Sequence, residues 1–232
     1  MTKYDRIYAL GDSHGSLMNI VNASDAEGLT ENDLLIQLGD FGFFWRTEDK
    51  TSTSYLKNTD YTFAFIRGNH DNKGLIESNC TFIDKWGGKV GQIGANGKCI
   101  YYLSAGICVI DGLKVLVIPG ASSIDKAYRT EGRSWWADET LSGDEQNKIF
   151  ADLAKHNWKV DVVLAHTLPA RYKDAFLPGP KADFTDPVEQ FMDAIVEDIQ
   201  FDRWIFGHYH MDHTDGKYTC SYNFAEKIKD NE

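Results

Sequence analysis

Five apolar runs in the sequence each end abruptly in polar residues, and this recurrence limits the folds that the chain can adopt. The runs, with the polar residues that follow them, are IYALGDSHG, LLIQLGD, FAFIRGNHD, VDVVLAHT and RWIFGHYH. An apolar run of about 4 to 8 residues bounded by turn signals predicts a strand that is covered on both faces. We therefore expect five covered strands whose carboxyl ends meet at one polar edge.

The residues at these strand ends are of the types that bind divalent metals in hydrolytic sites. They are Asp12, His14, Asp40, Asn69, His70, Asp71, His166, His208 and His210. Taken singly, each motif has an ordinary explanation, because Gly-Asp is common at helix N-caps and a lone histidine is more often a core or surface residue. Taken together and in this order, they indicate a metal site.

The blocks GDSHG, GDFG, GNHD, AHT and GHYH resemble the signature of the calcineurin-like metallophosphoesterase superfamily, in its bacterial or phage-type single-domain form. They span residues 11 to 210. The resemblance implies an α/β fold, a four-layer α/β/β/α sandwich with two central mixed β-sheets. The alternation of strand and helix signals in both halves, around a β-rich middle, also favours two sheets flanked by helices. The expected activity is hydrolysis of phosphomonoesters or phosphodiesters.

The resemblance also implies a dinuclear metal centre in which Asp40 bridges the two ions. The other ligands would be Asp12, His14 and His210 for the first ion, and Asn69, His166 and His208 for the second. His208 and His210 alternate along an extended segment, and the turn that follows the strand would let them reach different ions. The cofactors would be two divalent or trivalent ions, manganese before iron, zinc, cobalt or nickel.

His70 has a separate role in the family. It would protonate the leaving-group oxygen as the general acid, while a metal-bound hydroxide attacks phosphorus. Asp71 would hold the imidazole protonated and aligned. A helix cap is an equally open interpretation of Asp71.

The second block continues as GDFGFFW, whereas the protein serine/threonine phosphatase branch has GDxVDRG with an arginine that binds phosphate. That branch is not favoured here. The aromatic side chains suggest instead an apolar wall beside the bridging carboxylate, formed by Phe41, Phe43, Phe44 and Trp45. Arg46 is a candidate substitute for the missing arginine.

Residues 125–136 follow no regular period but combine basic side chains with Trp135 and Trp136. One interpretation is a rim over the site, in which Arg129 and Arg133, together with Asn69, bind the substrate phosphate. The other is a solvated loop whose tryptophans are packed down, since surface loops on rigid scaffolds serve both purposes.

Local signals predict the connecting elements. Gly28 would end a helix that follows the first strand, and helices are expected over 143–157 and DPVEQFMDAIVEDI. The pairs Asn96-Gly97 and Asp111-Gly112 predict two-residue hairpin turns. The connection LPARYKDAFLPGPKADFTD should be irregular and partly over the pocket, and the tail should hold an edge strand after a turn at Asp215-Gly216.

Length and charge limit the partners. A chain of 232 residues suits a single domain over residues 1–232. A net charge of −11 gives no general attraction for nucleic acid, which favours a phosphate-ester substrate. The early first strand and the lack of an apolar run of about 20 residues predict a cytoplasmic protein with no membrane partner. The four cysteines lack CxxC spacing and are expected to be free and buried.

Two other function classes are compatible with an α/β chain of this kind. The alternative to an enzyme is a non-catalytic metal-binding interaction scaffold of the same fold, which would bind metal without turning over any phosphate ester. A nucleotide-binding module is not favoured, because the sequence has neither GxGxxG after the first strand nor a Walker motif. The natural substrate and the oligomeric state are left open by the sequence.

Overall fold

A computed structural model describes residues 3–177 and 186–230. Within these ranges the chain forms a seven-stranded and a six-stranded β-sheet. The strands of the first sheet are β1 (Arg6–Leu10), β2 (Asp33–Leu38), β3 (Thr62–Ile66), β4 (Thr81–Lys85), β5 (Gly88–Ala95), β6 (Lys98–Leu103) and β13 (Glu226–Asp230). Those of the second sheet are β7 (Gly106–Ile110), β8 (Leu113–Ile118), β9 (Val162–Ala165), β10 (Arg203–Phe206), β11 (His213–Asp215) and β12 (Tyr218–Cys220).

Helices are placed between the strands. The α-helices are α1 (Leu17–Glu27), α2 (Lys50–Leu56), α3 (Lys73–Ser78), α4 (Gly143–Lys155), α5 (Lys173–Phe176) and α6 (Pro187–Ile195). Short 3-10 helices lie at Lys126–Tyr128 and Ala170–Tyr172. Within the described ranges, no helix has the length and apolar character needed to cross a bilayer.

The two sheets pack face to face around a shared apolar layer. Ile7 and Leu34 of the first sheet contribute to the same buried cluster as Val117, Leu164 and Ile205 of the second. Because strands of both sheets bury their side chains in one layer, the sheets hold each other in position.

Helices cover the outer faces of both sheets. Ile20 of α1, Leu56 of α2 and Ile76 of α3 are buried against the first sheet. Leu153 of α4 and Ile195 of α6 are buried against the second. The layers are therefore α/β/β/α, and the predicted fold class is confirmed.

The strand directions bring the polar ends together. The first sheet has the order β13-β1-β2-β3-β6-β5-β4 and the second β11-β12-β10-β9-β8-β7. Pairing is parallel among β1, β2 and β3, and also among β8, β9 and β10. Parallel neighbours end at the same edge, so the five predicted strands deliver their terminal residues to a common region.

Several local predictions are confirmed. Helix α1 ends at Gly28, which has the left-handed backbone of a C-cap (φ 56°). Asn96-Gly97 joins β5 to β6 and Asp111-Gly112 joins β7 to β8, with positive φ at both residues of each turn. Positive φ at both positions is what a type I′ hairpin turn requires. A third such turn, Trp86-Gly87, joins β4 to β5.

Two features of the fold lack a signal in the sequence: helix α3, and the pairing partner of the edge strand in the tail. Asn72 caps α3 by accepting a hydrogen bond from Leu75 N–H. Strand β13 returns to the first sheet and pairs antiparallel with β1. A helix this short shows little periodicity, and a pairing between the two ends of the chain leaves no local signal. In the proline-rich connection, 178–185 lie outside the described residues.

The predicted apolar wall is wrong for three of its four members. Phe41, Phe43 and Phe44 are each at most 1% exposed. Phe41 stacks on Phe65 of β3 with ring centroids 4.3 Å apart, in the core beneath the helices. These rings stabilise the first sheet because each buries a large apolar area. Trp45 is half-buried and remains near the site.

All four cysteines are free, as their spacing predicted. Burial raises the pKa of both the Cys108 and the Cys220 thiol to about 12, which makes them unreactive packed groups. Cys80 and Cys99 are half-buried, and in this respect the expectation of burial was too strong.

Candidate metal centre

The strand-end residues converge between the two sheets and form two clusters of candidate ligands. The first cluster consists of Asp12, His14 and His210, and the second of Asp40, His166 and His208. Within each cluster, one donor atom from every residue lies within 4.8 Å of the others. The sequence predicted both groupings, with Asn69 added to the second.

Three donor atoms meet in the first cluster. Asp12 Oδ2 lies 3.0 Å from His210 Nε2 and 3.5 Å from His14 Nε2. The two imidazole nitrogens are themselves 2.8 Å apart. A carboxylate oxygen and two ring nitrogens aimed at one point are a donor set that suits a divalent cation.

The second cluster is held by His166, which is fully buried. His166 Nδ1 lies 2.8 Å from the carbonyl oxygen of Leu38, to which it donates. That hydrogen bond leaves Nε2 unprotonated in the neutral ring, 3.0 Å from Asn69 Oδ1 and 3.5 Å from Asp40 Oδ1. The His208 ring lies against the His166 ring, with centroids 4.9 Å apart.

Asp40 lies between the clusters and offers one oxygen to each. Its Oδ2 is 3.8 Å from His14 Nε2 in the first cluster. Its Oδ1 is 3.5 Å from His166 Nε2 in the second cluster and accepts the backbone N–H of His70 at 2.8 Å. One carboxylate therefore faces both clusters.

Four of the candidate ligands have a left-handed backbone. The φ angles are 46° at His14, 51° at Asp40, 68° at His208 and 50° at His210. The predicted extended segment at His208 and His210 is wrong, because β10 ends at Phe206 and the chain turns immediately. The two rings nonetheless reach different clusters, as expected.

Glycines before the donors make room for the carboxylates. A Cβ on Gly207 would lie 2.2 Å from Asp12 Oδ1, and one on Gly68 would lie 2.2 Å from Asp40 Oδ1. Both distances are far below van der Waals contact. The glycines of the GNHD and GHYH blocks thus let the two sheet edges close around the acidic residues.

The two carboxylates differ in their proton affinity. Burial, together with the nearby Asp12 and Asp71 carboxylates, raises the pKa of Asp40 to about 7 against the opposing effect of His166. Burial also opposes ionisation of Asp12, but contacts with His14 and His210 outweigh it and lower its pKa below the usual range. The imidazoles thus favour the ionised form of Asp12.

The donor set fits metal ions. In the described part of the chain, the polar contacts of the Asp12 and Asp40 carboxylates are with imidazoles and with the backbone N–H groups of His208 and His70. Buried carboxylates are stable only when paired or bound to a cation. Divalent ions among these oxygen and nitrogen donors would supply the missing positive charge.

His70 lies beside the clusters. Its Nε2 is 3.9 Å from Asp40 Oδ2, and its ring centroid is 5.7 Å from that of His14 and 6.1 Å from that of Trp45. Burial lowers the pKa of His70 to about 4, and the Arg129 guanidinium contributes in the same direction. Its imidazole is therefore neutral at pH 7 in the free protein.

The structure places Asp71 in neither predicted role. Its carboxylate accepts hydrogen bonds from the backbone N–H groups of Phe41, Gly42 and Gly68, at 3.0, 2.9 and 2.8 Å. Among the described residues no hydrogen bond joins it to His70, and Asn72 is the residue that caps α3. Asp71 instead ties the segment after β2 to the segment after β3.

The 125–136 loop packs beside the site through Trp136. Trp136 is buried, and its ring lies edge-on to Trp45 with centroids 4.6 Å apart. Arg129 Nε donates to Asp125 at 2.6 Å. Arg133 is exposed, and its carbonyl accepts a hydrogen bond from Arg46 Nε at 3.2 Å. The tryptophan is packed down, as one interpretation expected, while Arg129 lies near enough to His70 to affect its pKa.

Sequence reasoning missed two buried residues that contact the site. Ser123 Oγ accepts a hydrogen bond from Asn69 Nδ2 at 3.0 Å, and Glu139 accepts one from Ser123 Oγ at 2.6 Å. Ser123 follows the exit of β8, which ends at the same edge as β9 and β10 because these strands pair in parallel. Glu139 lies in a segment with no regular period, so no sequence pattern marks it.

The observed contacts of Asp71 lead to a stability prediction. Asp71→Asn should lower the free energy of unfolding by about 1–3 kcal/mol, because the new NH2 group would face a buried backbone donor. Asp84→Asn, at an exposed ion pair with Lys89, is the control and should change little. Urea denaturation measures both, and equal midpoints for the two variants would contradict this role of Asp71.

One comparison with known proteins identifies the family of this chain. A search of curated protein sequences finds no match. Among solved structures, the phosphopantetheinyl hydrolase of Mycobacterium tuberculosis is similar, with a TM-score of 0.48, 14% identity, and 96% of this chain and 92% of that chain covered. The family model described as calcineurin-like phosphoesterase matches residues 5–212. This chain therefore belongs to the calcineurin-like phosphoesterase family and is a metal-dependent phosphoesterase.

Proposed function

We propose that the protein hydrolyses phosphomonoesters or phosphodiesters with two metal ions, one at each cluster. The ligands would be those of the two clusters, with Asn69 added to the second and Asp40 shared between them. When bound, the two ions would lower the pKa of water towards about 7 and offset the charge on the phosphoryl oxygens. We propose manganese first, among the ions that accept mixed oxygen and nitrogen ligands.

The position of Asp40 is the observation that carries this proposal. Its Oδ2 faces His14 at 3.8 Å and its Oδ1 faces His166 at 3.5 Å, so a single carboxylate serves both clusters. Two ions held close together repel each other, and a shared carboxylate reduces that repulsion. A protein with one metal site would not need the second group of imidazoles on the far side of Asp40.

His70 is proposed as the general acid. It lies beside Asp40 and is partly exposed, which leaves its ring accessible to a leaving-group oxygen. Because its imidazole is neutral in the free protein, it must take up a proton in the substrate complex. A bound phosphate dianion favours this uptake, since a nearby negative charge stabilises an imidazolium.

The substrate phosphate would be bound by Asn69 and by the arginines of the 125–136 loop. Arg129 is the better placed of the two arginines, because its charge already acts on His70. Trp45, beside His70 and Trp136, offers an aromatic face to the leaving group. A non-catalytic scaffold is less favoured, because every donor position of the two clusters is filled.

Asp40→Asn should be the most damaging ligand substitution, because it removes a charge that serves both metal sites. We expect it to abolish stoichiometric metal binding while the fold is retained. Asp12→Asn is the matched comparison, since Asp12 belongs to the first cluster alone and one ion should remain bound. Metal analysis with circular dichroism tests this, and two tightly bound ions in purified Asp40→Asn would refute the bridging role.

The role of His70 can be tested with two esters of equal charge. General acid catalysis contributes about 10² to 10⁴-fold, and its share falls when the leaving oxygen is already stable as an anion. His70→Asn should therefore retain both metals and lose much more kcat/KM on an alkyl phosphate than on a nitrophenyl phosphate.

The control for this substitution is His156→Asn, at the end of α4, which should leave both activities unchanged. An equal fractional loss on both esters would remove His70 from the acid's role. So would loss of bound metal in His70→Asn, because that result would identify the side chain as a ligand.

The loop arginines should affect substrate use without affecting metal content. Arg129→Ala is expected to lower kcat/KM by at least tenfold, because a charge-assisted contact to phosphate is worth about 1.5–3 kcal/mol. Arg133→Ala, on the exposed part of the loop, should have the smaller effect. Unchanged kcat/KM in both variants would mean that the loop is a solvated surface segment.

A further inference from the structure

The Asn69 side chain has a close polar contact at each end of its amide. Asn69 is 3% exposed, with its Oδ1 3.0 Å from His166 Nε2 and its Nδ2 3.0 Å from Ser123 Oγ. An amide has one end that accepts and one that donates, and only the carbonyl oxygen is a useful metal ligand. The orientation of this amide thus decides whether Asn69 can serve the second cluster.

The partners of Ser123 determine that orientation. Its hydroxyl has a single proton, and Glu139 Oε2 lies 2.6 Å from Ser123 Oγ. An ionised carboxylate can only accept, so the proton of Ser123 goes to Glu139. The remaining lone pairs of Ser123 Oγ must then accept from Asn69 Nδ2, which turns Asn69 Oδ1 toward the second cluster.

Glu139 is itself held in place. It is 2% exposed, and its Oε1 accepts the backbone N–H of Ser123 at 2.9 Å. The buried guanidinium of Arg67 binds the carbonyl oxygens of Glu139 and Thr140 at 2.7 and 3.0 Å. Arg67 immediately follows β3 and lies two residues before Asn69, so both ends of this hydrogen-bonded chain are attached to the same strand exit.

We propose that Glu139, acting through Ser123, is a positioning residue that keeps the carbonyl oxygen of Asn69 aimed at the cluster of Asp40, His166 and His208. This inference rests on the proposed use of that cluster as the second metal site. Residues that orient metal ligands typically contribute about 10 to 100-fold in metal affinity or activity. Loss of the Ser123 hydroxyl should weaken one of the two sites by that amount.

The test is a calorimetric titration of metal-free protein with Mn²⁺, which measures the affinity of each site. In Ser123→Ala, one site should weaken by about 10 to 100-fold and the other should stay unchanged. Ser122→Ala is the matched control, because Ser122 is equally buried and its Oγ lies 3.5 Å from Glu139 Oε1 without contacting Asn69. A merely structural role of this buried pair would make the two variants alike.

A double-mutant cycle makes the test specific to Asn69. If Ser123 acts through Asn69, Ser123→Ala should cause no further loss of Mn²⁺ affinity in an Asn69→Ala background. Glu139→Gln keeps the side-chain volume but lets the Ser123 hydroxyl reorient, and it should weaken the same site. If Ser123→Ala does not fold, the Mn²⁺ affinity of Glu139→Gln tests the same inference.

The outcomes separate this inference from the function on which it rests. Wild-type protein that binds one ion only would overturn the dinuclear function and this inference with it. Two-ion binding by the wild type, together with equal affinities in Ser123→Ala and Ser122→Ala, would overturn the positioning role alone. A full additional loss from Ser123→Ala in the Asn69→Ala background would also overturn it.

Discussion

Two buried carboxylates, on Asp12 and Asp40, control how the two sheets meet. Each follows a strand of the first sheet, and each finds its imidazole partner on the second: His210 for Asp12, and His166 for Asp40. Burying an anion without such partners would be strongly unfavourable. The sheet edges must therefore close on each other, and closure brings together the donors of both candidate clusters. The negative charge of the two carboxylates is costly to bury without a cation. The same charge favours binding of a metal ion.

The same region stores backbone strain. Four candidate ligands, His14, Asp40, His208 and His210, have left-handed φ angles, a conformation that costs a non-glycine residue about 1–3 kcal/mol in a constrained site. Such strain persists only when the surrounding structure fixes it. Here the covered strands and the apolar layer between the sheets fix the backbone. The sharp turn after β10 can therefore direct His208 and His210 to different clusters.

The segment between β8 and α4 has an outer part and an inner part, which contact different residues of the site. Its outer part carries Arg129, whose charge reaches His70. Its inner part carries Ser123 and Glu139, which contact Asn69. Arg67 fixes the end of this segment from within the core. A single stretch of chain thus links the rim proposed to bind substrate to a proposed metal ligand, so substitutions on one face need to be assessed for effects on the other.

The sequence by itself determined the covered strands, the α/β/β/α class and the donors at the strand ends, because burial on both faces and strand-terminal polar residues are local patterns. Only the tertiary structure decided the role of Asp71, which binds three backbone amides, and the burial of Phe41, Phe43 and Phe44 in the core. It also decided the pairing of β13 with β1 and the contacts of Glu139. These features join residues distant in the chain, and hydrogen bonds and packing between distant segments leave no periodic trace in the sequence.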